Sequence, residues 1–399
     1  MNGAEANGRS QFPSISANGR FVAFESEANN LVSNDFNATS DIFVVDLLTH
    51  NTEVMSVDGK GAVGSGPSHY PSISGDGRYV AFYSYAILTS NDQNHNVDIY
   101  VRDRVAGTTT LVTATFDGSP STGYSEAYYP KISVDGRFIA YHSSATDLVP
   151  GDVNNNSDAF VYDVQRGINQ IVSVTSSGEQ GSGFSASASI SADGRFISFS
   201  SNAANLVPEG VSHSATMFPQ VLVKDRMTGA MNLGSITLDG SVGDFSAGTS
   251  SLSGDGRYVA FYSRSTHLVP NDLNWKRDVF IFDFLTHTMK RITPDGVEPN
   301  GYSYAPSFSQ DGKRVAFWSK ASNFADDDHN GAIDVFLYDL PTDQILRISA
   351  GPMGEGNGDS GYPTISAEGR FVAFPSLASN LVAGDQNDVS DVFVAEILP

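Results

Sequence analysis

"SANGRFVAF" (residues 16–24) recurs as "SGDGRYVAF" (74–82), and the same phrase appears seven times in the 399-residue chain. Its turn glycines are Gly19, Gly77, Gly136, Gly194, Gly256, Gly312 and Gly369, at intervals of 58, 59, 58, 62, 56 and 57 residues. A repeat this regular excludes an ordinary multidomain chain and predicts one array over residues 1–399. Each copy reads as four strands. A short one such as "YPSIS" is followed by an Asx-Gly pair, a strong hairpin signal. "RFVAFES" and "DIFVVDL" are rich in β-branched and aromatic residues, and a turn leads to a fourth strand such as "TEVMSV". No helical periodicity is sustained.

Four antiparallel strands per copy, seven times over, predict an all-β, seven-bladed β-propeller. One blade has two apolar faces and buries them only by stacking on neighbours in a closed ring. Residues 1–11 match the loop that follows a fourth strand, and the chain stops after a third strand, at "DVFVAEILP". The seventh blade is therefore expected to be three-stranded, with no outer strand supplied by the other terminus.

Composition narrows the function classes. The formal net charge is −22 with 23 Lys and Arg, which disfavours a nucleic-acid partner. There is no cysteine, so disulfides, thiolate metal sites and a cysteine nucleophile are excluded. Long apolar runs are absent, and membrane insertion is not expected. The N-terminus lacks the pattern of a signal peptide. The acidity, low Lys content and Gly/Ser/Asn richness point to an extracellular or periplasmic setting, as a mature chain or part of a larger polypeptide.

The unit "PSIS-x-DGR-[FY]-VAF" with "D-[IV]-FV-x-D" resembles the WD-like propeller repeats of TolB-type proteins over essentially the whole chain. The resemblance implies a propeller. TolB has six blades, an extra N-terminal domain and a periplasmic protein-binding role, whereas this chain has seven copies and no such domain. Similar repeats accompany peptidases and polysaccharide lyases, so the likeness does not choose an activity.

Candidate sites follow from what varies. The loop ahead of the third strand reads D-x-N-x-x-x-D in six copies. It is richest in oxygen ligands at Asp92, Asn94, Asn96, Asp98 and at Asp152, Asn154, Asn156, Asp158. Alternate oxygen side chains suit a hard cation, Ca²⁺ first; turn capping by the same residues is the competing reading. The aspartate five residues later (Asp46 and its equivalents) faces the other way and is read as structural. Copy four lacks the acidic loop.

An aromatic precedes proline at Phe12, Tyr70, Tyr129 and Tyr362, while copies four and five are small there, which predicts a mouth with one aromatic and one bare side. After "AF" the residue changes, and Tyr83, His142, Tyr262 and Trp318 are candidates to stack on a ligand. The expected role is a non-catalytic binding propeller for a protein, peptide or glycan. The alternative is a polysaccharide lyase or glycoside hydrolase with its site in the central mouth. His69, Tyr70, His142 and Arg264 are its catalytic candidates, although no motif brings them together. No serine-hydrolase elbow, P-loop, dinucleotide fingerprint or histidine metal motif occurs.

Overall fold

The computed structural model describes residues 5–94, 96–116, 129–212, 218–352 and 354–398. The loop "DGSPSTGYSEAYYP" lies outside them except for its last two residues, as do His95 and residues 213–217 of the copy-four loop. Six four-stranded antiparallel sheets and one three-stranded sheet form the blades. Blade one comprises Ser10–Ile15, Phe21–Ser26, Asp41–Asp46 and Asn51–Val54, in that order from the inside outward. Blade seven has only Thr364–Ile365, Phe371–Ser376 and Asp391–Glu396. This is the seven-bladed propeller that the repeat predicts, with its short last blade.

The repeated phrase explains the stacking. Val22 and Ala23 are fully buried between sheets. The aromatic after each arginine lies on the next blade's turn glycine: a Cβ on Gly77 would sit 2.2 Å from the Phe21 ring, and Gly77 has φ +75°. Only glycine meets both demands. The arginine itself reaches the second aspartate of the third strand. Arg20 donates through Nε and Nη2 to the two carboxylate oxygens of Asp46, at 2.9 and 2.7 Å. Arg78–Asp103, Arg195–Asp225 and Arg257–Asp283 repeat this fork. The second aspartate is thus tied to the hairpin of its own blade, away from the rim.

Where the innermost strands end, a ring of backbone hydrogen bonds links neighbouring blades. Ala17 N donates to Gly75 O (3.0 Å), Gly75 to Val134, Val134 to Ala192, Ala192 to Gly254 and Gly254 to Gln310. Asp311 N then donates to Ala367 O, and Ala367 N donates back to Ala17 O at 3.1 Å. The circle closes between blades seven and one without an exchanged strand. At the opposite rim, Ser10 N donates to Ser390 O at 2.6 Å, as Ser68 N does to Ser40 O between blades one and two.

Candidate functional site: an aromatic mouth over a central channel

Five of the seven innermost strands carry a bulge near their start. The register slips between Gln11 and Ser14, His69 and Ser72, and Tyr304 and Ser307. The residue at the equivalent position is left-handed in all seven blades: Phe12, Tyr70, Tyr129, Ser187, Thr249, Ala305 and Tyr362 have φ between 34° and 67°. Non-glycine residues adopt this conformation at a cost, and such residues concentrate where function constrains the backbone. All seven line a channel of about 630 Å³.

The aromatic residues form one arc around the mouth. Ring centroids are 4.2 Å apart for Tyr129–Tyr70, 4.1 Å for Tyr70–Phe12 and 5.1 Å for Phe12–Tyr362. The arc continues through Tyr362–Trp318 (6.1 Å), Trp318–Tyr304 (4.7 Å, 21° between planes) and Tyr304–Tyr262 (4.9 Å). Among the described residues it is interrupted at blade four, where Ser187 occupies the equivalent position, with Thr249 beside it in blade five. The Trp318 indole N–H is buried and has no acceptor among the described residues.

Tyr70, Tyr129, Tyr262, Trp318 and Tyr362 therefore come together. Tyr83 and His142 stand behind the lining, both buried. Tyr83 backs Tyr70 with centroids 5.7 Å apart. Burial pushes the His142 pKa down to about 4, so it is neutral at physiological pH. His69 is held by Glu25 at 3.3 Å, and Glu25 also accepts the Tyr70 backbone N–H at 3.0 Å. Arg264 sits on the blade-five rim, donating to Trp275 O at 3.0 Å, with its guanidinium 5.3 Å from the Phe245 ring. Glu25 is a positioning residue for the Tyr70 bulge that reading the variable position for ligand stacking passed over.

Below the arc the channel presents donors. Ser14 Oγ accepts Ile73 N–H, Ser72 Oγ accepts Ile132 N–H and Ser251 Oγ accepts Phe308 N–H, at 2.9–3.0 Å. With their oxygens engaged, these hydroxyls keep their own protons to donate. The same position in blade three is Lys131, the only charged side chain lining the channel among the described residues. Its ammonium has no ion pair or hydrogen bond among them, and desolvation lowers its pKa. Water reaches it from the channel while protein surrounds it, so it is exposed by area yet poorly solvated. Sequence comparison between copies carries this signal: "PKIS" stands where five others read serine and one threonine.

The acidic loops lie on the same rim, outside the mouth. Asn94 Oδ1 accepts Asn96 N–H and Asn154 Oδ1 accepts Asn156 N–H, both at 2.8 Å. Asn154 Nδ2 donates to Gly181 O of the next blade's entry loop at 3.1 Å. Asp92, Asp98, Asp152 and Asp158 are buried beside these turns. Burial pushes Asp98 up to about 7 and Asp158 to about 6. Carboxylates gather here in pairs; among the described residues no three His, Asp or Glu side chains form a metal-holding group.

No family model matches the chain, and no curated protein does. Solved structures do. The propeller domain of the Trilobed protease from Pyrococcus furiosus is similar over 98% of this chain and 94% of that one, with TM-score 0.57 and 11% identity. An oligogalacturonate lyase in complex with manganese is similar over 98% and 90%, with TM-score 0.59 and 12% identity. TolB from Acinetobacter baumannii matches over 88% of this chain and 66% of its own, with TM-score 0.43 and 17% identity. The chain is a β-propeller. At these identities the likeness establishes the fold, with TolB proteins among its structural neighbours. Among the described residues no helix is long and apolar enough to cross a membrane.

Proposed function

We propose that this is a secreted or periplasmic binding propeller that takes a glycan in its aromatic mouth. The observation that carries the reading is the arc of stacked rings built around left-handed backbone positions. Flat aromatic faces suit the apolar faces of sugar rings, and the interruption at blade four gives an elongated ligand a way in. The hydroxyl donors and Lys131 below favour a ligand that carries a carboxylate. The pocket is concave, aromatic at its mouth and polar below, a combination that can hold and orient a small ligand. Ca²⁺ in the rim loops would stiffen the frame of this mouth without touching the ligand.

The second reading is a polysaccharide-degrading enzyme, and Lys131 favours it. An amine with a lowered pKa in a channel can take a proton, and structural neighbours include an oligogalacturonate lyase. Of the other candidates Tyr70 lines the same channel, whereas His69, His142 and Arg264 are not in its lining; on that balance we put binding first.

Calorimetry with a uronic-acid trisaccharide, its neutral counterpart and an acidic tripeptide tests both readings. Binding of the uronate, weakened tenfold or more by Trp318→Ala, supports the glycan reading. Release of unsaturated or shortened products during the titration would move the assignment to an enzyme. Preference for the peptide would replace the ligand class.

A further inference from the structure

We infer that the rim junctions of blades one, two and three each hold a divalent cation, Ca²⁺ by ligand type, and that blades five and six put an arginine of their own in that place. This deepens the cation part of the proposed function and is independent of what the mouth binds.

The argument rests on how the same junction is neutralised in different blades. In blade five, Arg291 Nη1 lies 3.0 Å from Asp272, 3.4 Å from Asp278 and 3.0 Å from Glu298. Asp272 and Asp278 are the two ends of that blade's D-x-N-x-x-x-D loop. Arg291 comes from the outermost strand, opposite Phe280. In blade six the matching position is Arg347, opposite Phe336. Its guanidinium pairs with Asp327, next to Asp328, at 2.7 Å and with Glu355 at 3.4 Å.

Blade four has neither acid. Gln220 replaces the strand aspartate, and its amide donates to Gly243 O and Phe245 O at 3.1 and 3.2 Å. Its outer-strand position is Leu233, opposite Leu222. An acid pair with an arginine, and no acids with an aliphatic, are both internally balanced.

Blades one to three combine the acid pair with an aliphatic. The outer-strand residues are Val54, Leu111 and Ile171, opposite Phe43, Tyr100 and Phe160. The pairs are Asp35 with Asp41, Asp92 with Asp98 and Asp152 with Asp158, and each strand aspartate is at most 1% exposed. Among the described residues none of the six is paired with Lys, Arg or His. Asp35 Oδ1, Asp92 Oδ1, Asp98 Oδ2 and Asp158 Oδ2 are buried with no hydrogen-bond partner there, as is one oxygen of each acid in blades five and six. The other oxygens accept only from neutral donors such as Ser56, Tyr100, Thr113, Ser173 and Gln180, so what sets blades one to three apart is the missing cationic side chain. Leaving buried carboxylates uncompensated is costly. Carboxylate oxygens joined by loop carbonyls are the ligands of Ca²⁺ rather than of a soft metal.

The full chain, stripped with chelator and titrated with Ca²⁺ alone at pH 7.5, tests this by counting ions in equilibrium dialysis. Ile171→Arg should bind one ion fewer than wild type, and Arg291→Leu, prepared with Ca²⁺ present, one ion more. Should Ile171→Arg fail to fold, Asp158→Asn should also bind one fewer. Wild type that takes up no Ca²⁺ at millimolar concentration, or counts unchanged in these variants, would overturn the inference: the pairs would then be holding a shared proton. Neither result touches uronate binding at the mouth, so the two proposals fail separately.

Discussion

Raising the pH of the chelator-treated protein from 5 to 8 should destabilise it, and Ca²⁺ should cancel the share of the effect that falls on blades one to three. An unfolded aspartate titrates near 3.8, whereas burial raises Asp98 to about 7 and Asp41 and Asp158 to about 6. A carboxyl whose folded pKa is raised holds its proton more tightly in the folded state. Its folded form therefore loses stability as pH climbs from the unfolded pKa to the folded one. With about 1.4 kcal/mol per pH unit over that window, the loss between pH 5 and 8 is about 3 kcal/mol for Asp98. It is about 1.5 kcal/mol for each of Asp41 and Asp158. Burial also raises Asp278 to about 7 and Asp272 and Asp328 to about 6, a loss that Ca²⁺ leaves in place. The three aspartates of blades one to three belong to different blades, so their effects add, to about 6 kcal/mol that Ca²⁺ restores. A chain of this size unfolds with an entropy of roughly 0.8 kcal/mol/K, so this share of the fall in Tm should be about 7 °C. The arginine-forked carboxylates work in the opposite sense. Their pKa values are depressed, so their contribution is complete above pH 4 and is lost only in stronger acid. Differential scanning calorimetry in chelator and in 5-fold-saturating Ca²⁺, at matched ionic strength, reads the difference directly. A Tm that is flat or rising from pH 5 to 8 in chelator, or a fall that Ca²⁺ leaves intact, would refute the claim that these pairs lack a counter-ion of their own.

Three further outcomes follow from the packing. Gly254→Ala would place a Cβ 2.5 Å from Gln310 O in the inter-blade backbone ring; a loss of about 3 kcal/mol is expected by thermal unfolding. Arg257→Met removes the fork to Asp283, whose pKa it holds down to about 2. The variant should be less stable than wild type at pH 7, and the gap should shrink as pH falls from 4 through 2, measured by urea unfolding across that range. Thr249→Gly relieves a β-branched residue at φ +34° and should raise stability by about 1 kcal/mol, in contrast to the loss that glycine brings elsewhere in strands.

The blade count, the strand order and the short seventh blade were legible because each repeated residue has a stacking task. Gly77 takes Phe21, and Arg20 takes Asp46. The mouth was legible in outline: the aromatics before proline and the small residues of copies four and five occupy one ring of left-handed positions. Tyr304 escaped notice because it stands one residue earlier than its counterparts, beside Ala305, and reaches the arc from the strand rather than from the bulge. Tyr83 and His142 vary between copies as mouth residues do, yet they pack behind the lining. Variation marks release from the shared scaffold without saying which layer a side chain joins. The neutralising arginines were hidden for another reason. Arg291 lies 13 residues after Asp278, with which it pairs, and Arg347 pairs with Asp327 and Glu355 of its own loops; only the strand register brings each arginine there.

The most direct test of the mouth uses its own fluorophore. The chain has two tryptophans, Trp318 in the arc and Trp275 on the blade-five rim. In the Trp275→Phe protein all tryptophan emission reports on the mouth. Titration with a uronic-acid trisaccharide should change that emission saturably, with the same Kd as calorimetry, and Lys131→Met should weaken the binding. Binding seen by calorimetry while Trp318 emission stays constant would place the ligand elsewhere and contradict the account.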